Sequence, residues 1–125
     1  MAYELLKTKS INITASFATK QYTFVKLDTN GTLATPSAGG FSIGVIQDNP
    51  NTAGNPGAVC FPGDITKVKV GTGGITAGGA VSTDGNGCAV AWTSGAMILG
   101  YSLGTTAVGG LGSIIYQPTT HTSWG

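Results

Sequence analysis

The sequence predicts an all-β fold: a compact β-barrel or sandwich of short strands, made by an internal duplication and carrying an extended N-terminal arm and a C-terminal tail. Three observations predict it. Glycine occurs 21 times in 125 residues, Thr, Ser, Val and Ile are plentiful, and Glu occurs once, at Glu4; this mixture favours short strands and tight turns over helices. Apolar residues alternate with polar ones between clusters of Gly, Asn, Pro and Ser, the pattern of strands joined by turns. The form V-x-x-D-x-N-G stands twice, as VKLDTNG at 25–31 and VSTDGNG at 81–87.

The two copies lie 56 positions apart. At that offset, without a gap, 19–62 aligns with 75–118, and eight of the 44 aligned positions are identical. These include Asp28/Asp84, Asn30/Asn86, Gly31/Gly87 and Gly44/Gly100. They fall at turns and strand cores in the same order, as duplication predicts. The chain then divides into an arm or edge strand at 1–18, a duplicated β-domain at 19–117, and an extended tail at 118–125.

In the arm, Tyr3, Leu5 and Leu6 stand beside Lys7 and Lys9, an apolar anchor with a charged flank. Ile11 and Ile13 then alternate, which predicts an edge strand over 11–18. In copy one the alternation of 22–27 predicts a strand, D-T-N-G a turn, and 32–35 the returning partner. Asp accepts bonds from the backbone ahead of it, and Asn and Gly tolerate positive φ. A strand over FSIGVIQ follows, with Gly44 inside it; strand glycines mark bulges or close backbone approach. A loop rich in Asn, Pro and Gly leads to AVCF. Between the copies ITKVKV alternates as one more strand, with Lys67 and Lys69 on the wet face. Copy two repeats the scheme with 80–83, D-G-N-G, 88–92, MILGYSL and SIIYQ, giving eight to eleven strands in all. The tail, PTTHTSWG, opens on Pro118 and is polar apart from Trp124. Large apolar side chains cost roughly 1.5–3 kcal/mol each when left in water, so Leu5, Leu6 and Trp124 pack either on this domain or on a partner.

Chemistry is hard to place on these residues. His121 is the only histidine and lies in the tail, a poor platform for a catalytic group that must be held to within about 0.5 Å. One His and two distant Cys cannot make a tetrahedral zinc set. The D-x-N-G segments lack the twelve-residue loop and closing Glu of a calcium hand, and the glycine runs lack the G-K-S/T of a phosphate loop. The four aspartates all sit beside turn residues. No enzyme, cofactor or metal is expected. Six lysines, no arginine and a formal charge of +1 do not make a nucleic-acid face. No apolar run reaches the roughly 18 residues of a membrane helix, and no leader opens the chain, so synthesis in a reducing cytoplasm is expected. Cys60 and Cys88 then read as buried free thiols, with a disulfide as the alternative. Low charge and uncovered apolar ends predict self-association, as a homotrimer or else a dimer.

The order of VKLDTNG at 25–31, IGV at 43–45, AGNPGAV at 53–59, ITAGGAVSTDGNG at 75–87 and ILGYSL at 98–103 resembles small β-rich bacteriophage capsid decoration (cement) proteins. The resemblance spans about Thr19–Tyr116. It implies a non-enzymatic virion component on the capsid surface, often a homotrimer, that binds the major capsid protein and clamps neighbouring subunits. Gly79, where the family often carries an acidic residue, and the tail with His121 and Trp124 depart from that pattern. On this reading Tyr3, Leu5, Leu6, Lys7, Lys9 and Trp124 are the expected partner-binding residues, while Asp28, Asn30, Gly31, Asp84, Asn86 and Gly87 are structural turns. A carbohydrate-binding module of a phage head or fibre is the competing reading, with Tyr22, Trp92, Tyr101 and Tyr116 as the aromatics it would recruit.

Overall fold

The computed structural model describes residues 8–119. It is all-β, with ten strands: β1 (Thr8–Asn12), β2 (Phe24–Leu27), β3 (Leu33–Ala34), β4 (Gly44–Ile46), β5 (Pro56–Cys60), β6 (Ile65–Lys69), β7 (Ala80–Thr83), β8 (Ala89–Ala91), β9 (Ile98–Ser102) and β10 (Leu111–Thr119). They form two five-stranded antiparallel sheets, ordered β1-β5-β4-β2-β3 and β6-β10-β9-β7-β8. Adding five to each strand of the first order gives the second.

The correspondence holds pair by pair. Phe24 faces Val45 as Ala80 faces Tyr101, and Val25 faces Gly44 as Val81 faces Gly100. Val45 faces Cys60 as Tyr101 faces Ile115. In each sheet the two end strands also meet, through parallel bridges Ile13–Leu33 and Val70–Ala89. Each sheet therefore curls toward a small barrel, which shields most of its edges. The final loop is one residue shorter in the second half, so the last strands correspond at 55 positions (Val59 to Ile114) rather than 56. At the other end the correspondence runs back through β1, which pairs with β5 as β6 pairs with β10.

The first strand runs over Thr8–Asn12 rather than 11–18. β2, β3, β4, β6, β8 and β9 are shorter than the alternation suggested, and β5 and β10 are longer. Tyr22 leaves β2 because its φ is +64°; its N–H donates to the Ile46 carbonyl and its carbonyl accepts from Lys69 N–H, and these two bonds hold that turn. Pro56 begins β5, the strand position that tolerates a missing N–H. β10 continues through Pro118 to Thr119 with a register shift after Tyr116.

Two apolar clusters fill the molecule. Ile13, Phe17, Val25, Leu33, Ile46 and Val59 pack inside the first curled sheet. Phe24, Val45 and Cys60, on its opposite face, join Val68, Val81, Leu99, Ile114 and Tyr116 of the second half. The first sheet is thus buried on both faces, and its strands read as paired apolar residues (Phe24-Val25, Val45-Ile46, Val59-Cys60), as doubly covered strands do. β6 and the first residues of β10 instead alternate buried with exposed or half-exposed.

Candidate partner-binding surface

Of the residues expected to bind a partner, Tyr3, Leu5, Leu6, Lys7 and Trp124 lie outside the described residues, as does His121. Lys9 lies in β1 with its backbone opposite Val59, so it belongs to a strand.

The turn residues form two matching constructions. Asp28 Oδ1 accepts from Asn30 N–H at 2.9 Å and Thr32 N–H at 3.0 Å. Asp84 Oδ1 accepts from Asn86 N–H and Cys88 N–H, both at 2.9 Å. Gly31 and Gly87 close the turns at φ +76° and +82°. The other carboxylate oxygen differs: Asp28 Oδ2 accepts from Thr14 Oγ1 at 2.6 Å and Thr32 Oγ1 at 2.8 Å. These hydroxyls and amides, Thr14 foremost, hold the Asp28 carboxyl well below the usual carboxylate range. Bonds that satisfy a turn acid so fully leave little of it for a ligand.

Among the described residues no group of three His, Cys, Asp or Glu is placed to hold a metal ion. Cys60 and Cys88 are both free, Cys60 buried and Cys88 half-buried, so the expectation of two buried thiols holds in full only for Cys60. Burial pushes both thiols up, away from the reactive thiolate.

The aromatics named for a saccharide face do not share one. Tyr116 is a correction: it is fully buried. Its ring lies 6.1 Å from that of Phe24, its hydroxyl is 3.1 Å from Ser42 Oγ, and burial drives its pKa upward. The period-two pattern of SIIYQ left either face open to it. Trp92 is half-buried and its indole N–H donates to the Ala96 carbonyl at 2.7 Å. Tyr22 lines a cleft of about 290 Å³ at the seam of the two halves with Gln21, Asn49, Lys69 and Leu111, where the Lys69 ammonium donates to the Thr19 carbonyl. Tyr101 lies elsewhere, 41% exposed on β9.

Tyr101 marks the feature that residue-by-residue reading missed. The register sets Ile65, Ile115, Tyr101 and Ala80 side by side across β6, β10, β9 and β7, and Trp92, whose N–H donates to the Ala80 carbonyl, extends the row. Residues opposite one another on neighbouring strands point to the same face. The next positions on that face bring Leu103 beside Ser113 and Leu111 beside Lys69. Ile65, Tyr101, Leu103 and Leu111 are four of the seven exposed large apolar side chains among the described residues. Gathered on one sheet face, they form the kind of patch that marks an interaction site. The alternation of ITKVKV and SIIYQ was the available signal, but which face met water depended on how the two halves pack.

No family model matches the sequence, and no curated protein does. Among solved structures the chain is similar to the head fiber gp8.5 N base of bacteriophage phi29, at 14% identity and a TM-score of 0.70, over 91% of this chain and 98% of that one. At that identity the likeness speaks for architecture: the chain shares the all-β fold of that head fiber base.

Proposed function

We propose that this protein is a non-enzymatic structural component of a bacteriophage virion that binds the outside of the head and cements neighbouring major capsid subunits as a homotrimer. The observation that carries the reading is the likeness in fold to a phage head fiber base over nearly the whole of both chains. The apolar face built on Ile65, Tyr101, Leu103 and Leu111 supports action through protein contacts. So do the full engagement of Asp28 and the burial of the Cys60 thiol, which leave those groups committed to the fold. Synthesis in the host cytoplasm fits the free cysteines. Antibody labelling of purified virions tests the location: gold on the heads is expected, and label on tails or none on virions contradicts it.

A second reading, a saccharide-binding module, draws on the cleft lined by Tyr22, Gln21, Asn49 and Lys69, which offers an aromatic residue beside two amide side chains and a lysine. Binding on a glycan array that is lost in Tyr22→Ala favours it over the first.

A further inference from the structure

We infer that the outer face of the second sheet docks on a second copy of this chain, against the surface formed by Phe41, Ile43 and Phe61 of that copy. The pairing of the two halves within one chain supplies the reason. In the first half, Phe24, Val45 and Cys60 form a cross-strand row that is 0–3% exposed, because the second half covers it. Val81 and Ile114 of the second half join this row in one core, as do Leu99, Tyr116 and Val68, all three at 0% exposure, with Met97 packed at the rim. Val81 and Ile114 have counterparts, Val25 and Val59, that are already buried in the first half. Leu99, Tyr116 and Val68 are therefore the covering residues whose counterparts stay partly open.

Each of these positions has a counterpart in the other half, fixed by strand register. The row Phe24–Val45–Cys60 corresponds to Ala80–Tyr101–Ile115, with Ile65 beyond it. Here none of the described residues covers the row: Tyr101 is 41% and Ile65 66% exposed. The covering residues Leu99, Tyr116 and Val68 correspond to Ile43, Phe61 and Ile11 of the first half, and Met97 to Phe41. These pack against the first core while staying half-exposed, and Phe41 is 52% exposed. One half has its row covered and its covering residues open; the other has the reverse. The described residues thus leave two apolar surfaces that correspond, at these positions, to the two sides of a contact the chain already makes with itself.

A head-to-tail contact of this kind between copies repeats the internal one, and closed rings are its stable outcome. A trimer sets six half-domains around such a ring. This inference deepens the self-assembly part of the proposed function and does not depend on capsid binding.

The test uses the full chain and two surface variants, Tyr101→Glu on the row and Phe41→Glu on the opposing surface, with Ile65→Lys and Phe41→Ser as replacements should either fail to fold by circular dichroism. Analytical ultracentrifugation should give a multiple of the 12.5 kDa chain mass for the unaltered protein. Each variant alone should fall to that mass, association being at least about tenfold weaker. Mixed, the two variants keep one intact contact between them and should recover a 1:1 complex. A monomeric unaltered protein overturns the inference. So does a Tyr101→Glu protein that assembles normally, a Phe41→Glu protein that assembles when Tyr101→Glu does not, or a mixture that fails to complement. Complementation with a ring other than three copies upholds the contact and contradicts the trimer. Loss of capsid binding alone touches neither.

Discussion

Gly31 and Gly87 occupy the same place in the same turn, yet their surroundings differ. A Cβ at Gly31 would meet nothing within 4 Å, whereas one at Gly87 would stand 2.9 Å from the Phe24 carbonyl oxygen. Gly31→Ala should therefore cost only left-handed backbone strain, about 1–2 kcal/mol. Gly87→Ala should add a displacement of the seam between the halves, where Phe24 N–H donates to the Gly87 carbonyl, and cost about 2–4 kcal/mol in all. Urea denaturation of both variants checks the order. Asp28 gives a second asymmetry. Its carboxyl is held below the ordinary value of 3.8, so its contribution is present above that value. As the pH falls below it the unfolded chain takes up a proton that the folded chain refuses, and stability drops toward the lower folded value. Asp28→Asn should flatten the acid limb of the stability profile between about pH 5 and pH 2, as read by thermal melts across that range. The Asp-x-Asn-Gly turn itself is legible in four residues. That Thr14 reaches Asp28 from across the barrel is not, because the bond depends on the meeting of β1's end with β3; at the corresponding place beside Asp84 the chain carries Gly71, whose Cβ would stand 2.6 Å from the carboxylate.

At the scale of strands, period-two patterning located the elements but overran the ends of several, because turns such as the one at Tyr22 begin while alternation still continues. It also stopped short of the end of β10, which runs on through Pro118. Burial on both faces was also readable in outline: Phe24-Val25 and Val45-Ile46 break the alternation that β6 keeps. Gly44 and Gly100, singled out as marks of close approach, prove to be that. A Cβ on either would lie 2.3 Å from a backbone oxygen of the neighbouring strand, that of Cys60 or Ile115. Gly44→Ala and Gly100→Ala should each cost about 1–3 kcal/mol or more by forcing β4 from β5 or β9 from β10, and their melts should show it. The expected Val59–Ile115 correspondence was off by one, since a single-residue difference in a glycine-rich loop leaves no trace in an ungapped comparison.

For the whole molecule, the repeated motif foretold two like units, while the way one unit covers the other was not legible, for it turns on side chains far apart in sequence such as Phe24 and Tyr116. The Tyr116–Ser42 contact belongs to that seam. Tyr116→Phe should cost only about 1 kcal/mol, since Ser42 Oγ keeps the Val25 and Gly44 carbonyls as acceptors. Of the expected partner-binding residues, Tyr3, Leu5, Leu6 and Lys7 precede β1, Lys9 lies within it, and Trp124 belongs to the tail sequence. Removal of residues 1–7 should leave the melting temperature nearly unchanged while weakening attachment to heads at least about tenfold, or roughly 1.4 kcal/mol. Cosedimentation of the full chain with phage heads that lack it tests capsid attachment directly. Saturable binding at a fixed ratio to the major capsid protein is expected. Protein that stays in the supernatant at every concentration of heads would contradict it.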